Sequence, residues 1–428
     1  MNPPARARPL HILVLVDRDW THPQGGGNGT NLYGQVSRWI AWGHRVTIVT
    51  GSYPGAKPVE ELAPNLVVHR KGGRASVFAR VFWTVRRGVG RDADVVLEVI
   101  NGITFLTPLW LRKPRVALVH HVHRDLYVNE FGRLGHLLFW ALEAVPLRYL
   151  YRHARFLTIS QSARGDLVGV GIPPENITVA YLGVEPTAFR RGRRAEEPRL
   201  LYLGRLKAYK RIENVLDVLE AVPGATLDIA GDGDHRQALE AEIERRGLTP
   251  RVQMHGWVDD ETKAELYGRA WITLTASSSE GWSLTVMEAA LCGTPSAALA
   301  VGGLSESIVD GETGVLAHDL DELRRRVREV VERPELRKRL GDGAERRAGS
   351  FTWERPAETN LGVLEREAAT GRPALGAVKA RYATAEAPPA HATGDRDGQP
   401  ARAEPPRAGA GGHRGTVLEP GAALDRAS

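Results

Sequence analysis

The stretch SSSEGWSLTVMEAALCGTPSAALAVGG, Ser277–Gly303, sets two glutamates, Glu280 and Glu288, on either side of an apolar run that opens like a helix. Just before the first glutamate, ITLTAS (272–277) is rich in β-branched residues and reads as a strand. SSEGW is then the loop at the carboxyl end of that strand, and LTVMEAALC is a helix stopped by Gly293 and Pro295. Strand, short loop and helix in this order are one unit of a parallel α/β sheet. The amides of Leu284 and Thr285 become free donors at a helix N-terminus, where the dipole favours an anion such as a diphosphate. Glu288, one turn deeper, can reach past the phosphates to a ribose diol, as a carboxylate does in dinucleotide folds. Glu280 stays in the loop and faces whatever hangs from the far side of the phosphates. Acidic residues near a helix start also cap it and complement its dipole, so either glutamate alone has a plain structural reading.

Outward from this unit the same alternation fills the chain. Candidate strands before it are 11–16, 44–50, 65–70, 94–100, 115–122 and 156–160. A second series is 200–204, 226–231, 252–258, 272–277 and 295–300, with helical segments such as RIENVLDVLEAV (211–222) between them. Near GVEPTAFRRGRRAEEPR (183–199) the periodicity stops and Pro, Gly and charge take over. The expected class is α/β, with two Rossmann-like doubly wound domains facing a central cleft. The expected divisions are residues 1–185, 186–350, a terminal helix over 351–370, and a tail over 371–428. That tail is dominated by Ala, Pro, Gly and Arg and is expected to be disordered, because it has too little apolar surface to offset the entropy of ordering. Ligands of such sheets sit at the carboxyl ends of the strands.

Composition agrees with this size: 428 residues, 42% hydrophobic and 25% charged, is enough for about two domains at roughly 150 residues each. A formal net charge of +6, much of it Arg, suits an anionic ligand or an acidic membrane surface, and nucleic acid is not among the expected partners. The lone Cys292 excludes an internal disulfide and a cysteine-based zinc site. The start MNPPARARPLHILVLVD has an apolar run too short for a spanning helix and lacks a clean cleavage pattern, so a cytoplasmic location is expected.

Three further constellations bear on chemistry. In LYLGRLKAYKR, Arg205 and Lys210 follow a strand and precede a helix, and a guanidinium fork with an ammonium there can clamp a diphosphate. Solvated surface charge is the ordinary reading of either cation alone. In QGGGNGTNLYGQVSRWIAWGH, Gly25, Gly26 and Gly27 allow an anion close to the backbone; the spacing does not satisfy G-x-G-x-x-G, and a flexible loop is the bland alternative. ALVHHVHRD places His121 and His123 on one strand face and His120 on the other. No Cys completes a zinc set there, so no metal is assigned, and a histidine bonded to a sugar is preferred. The DGD of 232–234 reads as a strand-to-helix turn.

EGWSLTVMEAALCGTP, with seven residues between Glu280 and Glu288, followed by VGGLSESIVDGETGVL, resembles the hallmark of family-four retaining glycosyltransferases of the GT-B fold. The glycine loop with its helix, LGRLKAYKR and DIAGDGD support the resemblance, which covers about residues 10 to 368. It implies transfer of a sugar from a UDP- or GDP-linked donor to an acceptor hydroxyl, on a glycan or a lipid, with retention and without metal or other cofactor. Arg205 and Lys210 would bind the diphosphate, Glu288 the ribose and Glu280 the transferred sugar, with Gly26 and Gly27 beside the donor. His120 takes the family's histidine position by register from Lys113 and Pro114, with His121 and His123 as substitutes. FTWERPAETNLGVLERE is similar to the family's terminal helix, which crosses back onto the first domain. Asn28 and Gly29, where many members carry Ala and Glu, and Ser283, where Gly is frequent, depart from the pattern. A nucleotide-sugar 2-epimerase of the same fold and a non-catalytic nucleotide-sugar binder are the rival readings. Finally, 76–91 and 131–156 mix aromatics, Leu and Arg as interfacial helices do, pointing to peripheral contact with the inner face of a membrane; core helices with snorkelling Arg are the alternative.

Overall fold

A computed structural model describes residues 8–371, so the tail read over 371–428 lies, apart from Gly371, outside the described residues. Eight strands make the first sheet: β1 (His11–Leu15), β2 (Arg45–Thr50), β3 (Val59–Ala63), β4 (Leu66–Arg70), β5 (Val95–Ile100), β6 (Arg115–Val119), β7 (Arg155–Thr158) and β8 (Ile177–Val179). Six make the second: β9 (Arg199–Leu203), β10 (Thr226–Ala230), β11 (Val252–Gly256), β12 (Ile272–Thr275), β13 (Ser296–Leu299) and β14 (Gly314–Ala317). The orders are β3-β4-β2-β1-β5-β6-β7-β8 and β11-β10-β9-β12-β13-β14. All pairings are parallel except β3 with β4.

The central strands β1, β5 and β6 are buried at every position, as they must be when helices cover both faces of a parallel sheet. Strands β3, β8 and β14 were not among the sequence-based candidates. β3 is a largely exposed edge, VEELA, β8 has only three residues, and β14 is the four residues GVLA.

Four helices matter for the site: α1 (Gly26–Ala41), α2 (Arg133–Phe139), α3 (Leu284–Leu291) and α4 (Glu354–Thr370). α4 follows the second sheet in the chain yet packs on the first. Ala357, Leu361 and Leu364 join the core around Ile12, Val14 and Leu97, and Trp39 Nε1 donates to the Ala357 carbonyl at 2.9 Å. Gly34 of α1 is needed there, because a Cβ would lie 2.4 Å from the Trp353 ring. The second domain also reaches the first through Glu306, whose carboxylate accepts from the amides of Gln161 and Ser162 at 2.8 and 2.7 Å, capping the helix Gln161–Gly169.

Candidate functional site

The site forms where the carboxyl ends of β9 and β12 meet the glycine turn after β1. Gly26 has φ +56°, and a Cβ there would come 3.7 Å from the Arg205 guanidinium. A Cβ on Gly27 would stand 3.9 Å from Leu284 Cδ1. Both glycines therefore face second-domain residues across the cleft, and α1 begins at Gly26 with no side-chain cap on its N-terminus. The turn itself is tight: a Cβ on Gly25 would come within 2.7 Å of the Asp19 carbonyl. Asp19 is fixed in turn by the buried Arg70 at 3.1 Å.

On the second-domain side, Arg205 Nη2 donates to Tyr209 Oη at 3.1 Å, and Tyr209 anchors the opposite loop by accepting from the Ser278 amide at 2.9 Å. The Lys210 ammonium sits on the Glu280 carboxylate, which also accepts from Ser277 Oγ at 2.9 Å. Lys210 and Glu280, read from sequence as holding opposite parts of one ligand, are thus ion-paired to each other. Burial pulls the Lys210 ammonium down, but Glu280 more than compensates and its net pKa is raised. The Glu280 loop is closed by backbone: the Gly303 amide donates to the Glu280 carbonyl at 2.7 Å, and a Cβ on Gly302 would approach that carbonyl to 2.4 Å.

Ser283 caps α3, its Oγ accepting from Val286 N at 3.4 Å. The cap leaves the amides of Leu284 and Thr285 without a protein acceptor among the described residues. Glu288, on the same helix, accepts from the buried Tyr267 hydroxyl at 2.9 Å. Desolvation raises its pKa, opposed by Lys263. Gly233 of the DGD turn is there for space, since a Cβ would clash with the Leu206 carbonyl at 2.1 Å, and Asp234 pairs with Lys207 at 2.6 Å.

The three histidines, expected on a strand over 115–122, lie past the end of β6 in the bend and loop over 120–123, so strand alternation does not place them. His121 and His123 stack with ring centroids 4.1 Å apart. His123 is held from behind, its ring on Glu143 at 3.2 Å and on Asn101 at 3.0 Å, and Asn101 accepts from Asn28 at 3.1 Å. Burial, then His123 and the nearby Lys210 and Arg205, hold the His121 pKa well below the ordinary value. His120 turns inward to Asn31 of α1, its Nε2 2.7 Å from the amide, while its backbone carbonyl closes on Gly281, where a Cβ would come within 2.8 Å. Burial, with His121 and His123 adding to it, lowers the His120 pKa to about 3.

Asn31, Asn101, Tyr209, Glu143 and Tyr267 escaped the sequence reading. Asn31 alone left a trace, a polar residue four before Gln35 on the face of a helix that must be buried.

Comparison with known proteins gives the family of the chain. Residues 25–188 match the model of Glycosyltransferase Family 4 and residues 185–347 that of Glycosyl transferases group 1. The chain is 32% identical over 401 residues to glycogen synthase of Mycobacterium tuberculosis, spanning 83% of this chain and 94% of that protein. It is 28% identical over 389 residues to a GDP-mannose-dependent alpha-(1-6)-phosphatidylinositol dimannoside mannosyltransferase of the same species, spanning 82% and 96%. Among solved structures, sucrose-phosphate synthase of Thermosynechococcus elongatus superposes with a TM-score of 0.72 at 20% identity, covering 84% of this chain and 99% of that one, and shares the fold. With two parallel-sheet α/β domains and relatives of this kind along most of its length, the chain belongs to the family-four glycosyltransferases and is a nucleotide-sugar glycosyltransferase of the GT-B fold.

Proposed function

We propose that the protein moves a sugar, with retention and without a metal, from a UDP- or GDP-linked donor to a hydroxyl of a lipid-linked or cell-envelope glycan acceptor. One observation carries the reading: Arg205 and the Leu284 side chain at the start of α3 face the uncapped glycine turn at Gly26 and Gly27, with the Lys210–Glu280 pair on the same side of the second domain and the amides of Leu284 and Thr285 free. Two fixed cations and helix-end donors are what a departing diphosphate requires, since they stabilise the charge that grows as the glycosidic bond breaks. This is the electrostatic task a metal would otherwise perform. Glu288 takes the ribose, Glu280 the hydroxyls of the transferred sugar, and His120 supports the charge-separated transition state. The leaving phosphate takes the acceptor proton on the same face, which gives retention. The relative named for GDP-mannose makes that donor the first to try.

A screen of UDP- and GDP-sugars following nucleoside diphosphate release, with and without EDTA, tests this. The anomeric coupling of the product tests retention. An EDTA-sensitive rate or an inverted product would refute the corresponding part.

A membrane-borne acceptor is favoured by one surface. From Arg133 to Leu150 the chain is helical, α2 continuing into π-helical turns over Trp140–Ala144 and Pro146–Leu150. Leu134, Leu137, Trp140, Val145 and Tyr149 are exposed along it beside exposed Arg133, Arg148 and Arg152. The one acid of the segment, Glu143, is buried beneath. An apolar face rimmed by arginine suits the inner face of an anionic bilayer. No described helix is long and apolar enough to cross one. Vesicles with anionic lipid should pellet the protein and neutral ones should not, and Leu137→Ser with Trp140→Ser should abolish the difference. Equal, negligible pelleting would remove the idea.

A further inference from the structure

Under α1 runs a buried row of amides that ends on His120. Asn360 of α4 donates through Nδ2 to Gln35 Oε1 at 2.6 Å. Gln35 donates through Nε2 to Asn31 Oδ1 at 2.7 Å. Asn31 Nδ2 lies 2.7 Å from His120 Nε2. Asn31 and Gln35 are one helical turn apart, so both face the same side of α1. Relative exposures of 0%, 1%, 2% and 3% for Asn31, Gln35, Asn360 and His120 keep water from replacing any link. Gln35 and Asn31 each accept at one end and donate at the other, while Asn360 pairs only through Nδ2, its Oδ1 being buried without a partner among the described residues. The direction of the row at Asn360 is therefore transmitted to the ring: Asn31 presents N–H, so Nε2 must accept, and the proton of the neutral imidazole lies on Nδ1. Nδ1 has no hydrogen-bond partner among the described residues. A buried donor left unpaired costs about 1–3 kcal/mol, which a ligand oxygen would recover.

We propose that Gln35 and Asn360 are positioning residues which, through Asn31, hold His120 as the Nδ1–H tautomer and so aim its one N–H at an oxygen of the bound substrate. The inference rests on the reading of His120 as a site residue. It makes α4 part of the catalytic apparatus as well as a fastening between domains, because Asn360 heads the row and presents its N–H to Gln35. Burial keeps the ring neutral through the working pH range, so tautomer rather than charge is what the row controls.

The test uses the full chain labelled with ¹⁵N-histidine, in a two-bond ¹⁵N–¹H correlation spectrum, with His120 assigned by its loss in His120→Gln. The wild type should show a protonated Nδ1 and a bare Nε2. In Asn360→Asp at pH 9 the carboxylate can only accept, so Gln35 and Asn31 should turn over and the proton should move to Nε2. kcat should then fall at least tenfold, with KM and nucleoside diphosphate Kd within about twofold. A wild-type ring protonated on Nε2 overturns the proposal without any variant having to fold. So does a tautomer unchanged in Asn360→Asp, or a reversed tautomer with full kcat. Full activity in His120→Gln would refute the site reading instead, while the spectra still report on the row.

Discussion

Glu280→Ala and Glu288→Ala should part company in their effect on nucleoside diphosphate. Glu280 is paired with Lys210, and the side chains are only 13% and 15% exposed, so its removal leaves a poorly hydrated ammonium without a counter-ion at the mouth of the site. A diphosphate supplies that charge. A hydrogen bond to a charged group is worth about 1.5–3 kcal/mol, or roughly ten- to a hundredfold in affinity. Lys210 has three protons and can serve Glu280 and phosphate together, so only part of that is released. UDP and GDP should bind Glu280→Ala unchanged to about tenfold tighter, while sugar transfer collapses because the hydroxyl contacts are gone. Glu288→Ala lacks its ribose grip and should lose the full ten- to hundredfold for the same ligands. Arg205→Gln should weaken diphosphate and nucleotide sugar alike and slow transfer besides. Isothermal titration with both diphosphates, beside initial rates, reads all of this. If Glu280→Ala weakens diphosphate as much as Glu288→Ala does, then Glu280 orients Lys210 rather than contacting sugar, and the division of the ligand between the two carboxylates is wrong.

Two other expectations follow from packing and burial. Desolvation raises Glu143 to about 8, against which the His123 amide works, so between the unfolded carboxylate value and 8 the folded state holds a proton that the unfolded state lacks. The associated stability is complete below that window and is lost as pH rises to about 8, by on the order of 5 kcal/mol at most; Glu143→Gln should flatten the urea midpoint between pH 5 and 8, and an equally steep variant would refute the assignment. Gly34→Ala drives a methyl into the Trp353 ring and should cost about 1–3 kcal/mol in urea unfolding, with a neutral result showing that α1 and Trp353 can separate freely.

How much of this was legible in the chain can be judged element by element. The long central strands, the helix after Glu280 and its stop at Gly293 are local matters of β-branched runs, caps and a residue at φ +67°, and sequence displays them. Strand β3 pairs antiparallel on a largely exposed edge and so leaves no buried period, and β14, though mostly buried, is only the four residues GVLA. The residue types of a cationic clamp and two carboxylates were readable because each follows the carboxyl end of a strand, where this architecture exposes its loops. What those groups touch was not. That Glu280 neutralises Lys210, that Gly26 faces Arg205, and that Asn360 reaches His120 through two amides all depend on segments 70 to 325 residues apart in the chain. Periodicity, capping and turn chemistry act over a few residues, and they determined the two sheets and the candidate groups. Pairing among those groups is set by how the two domains and α4 pack, through distances of a few ångströms that only the folded chain defines.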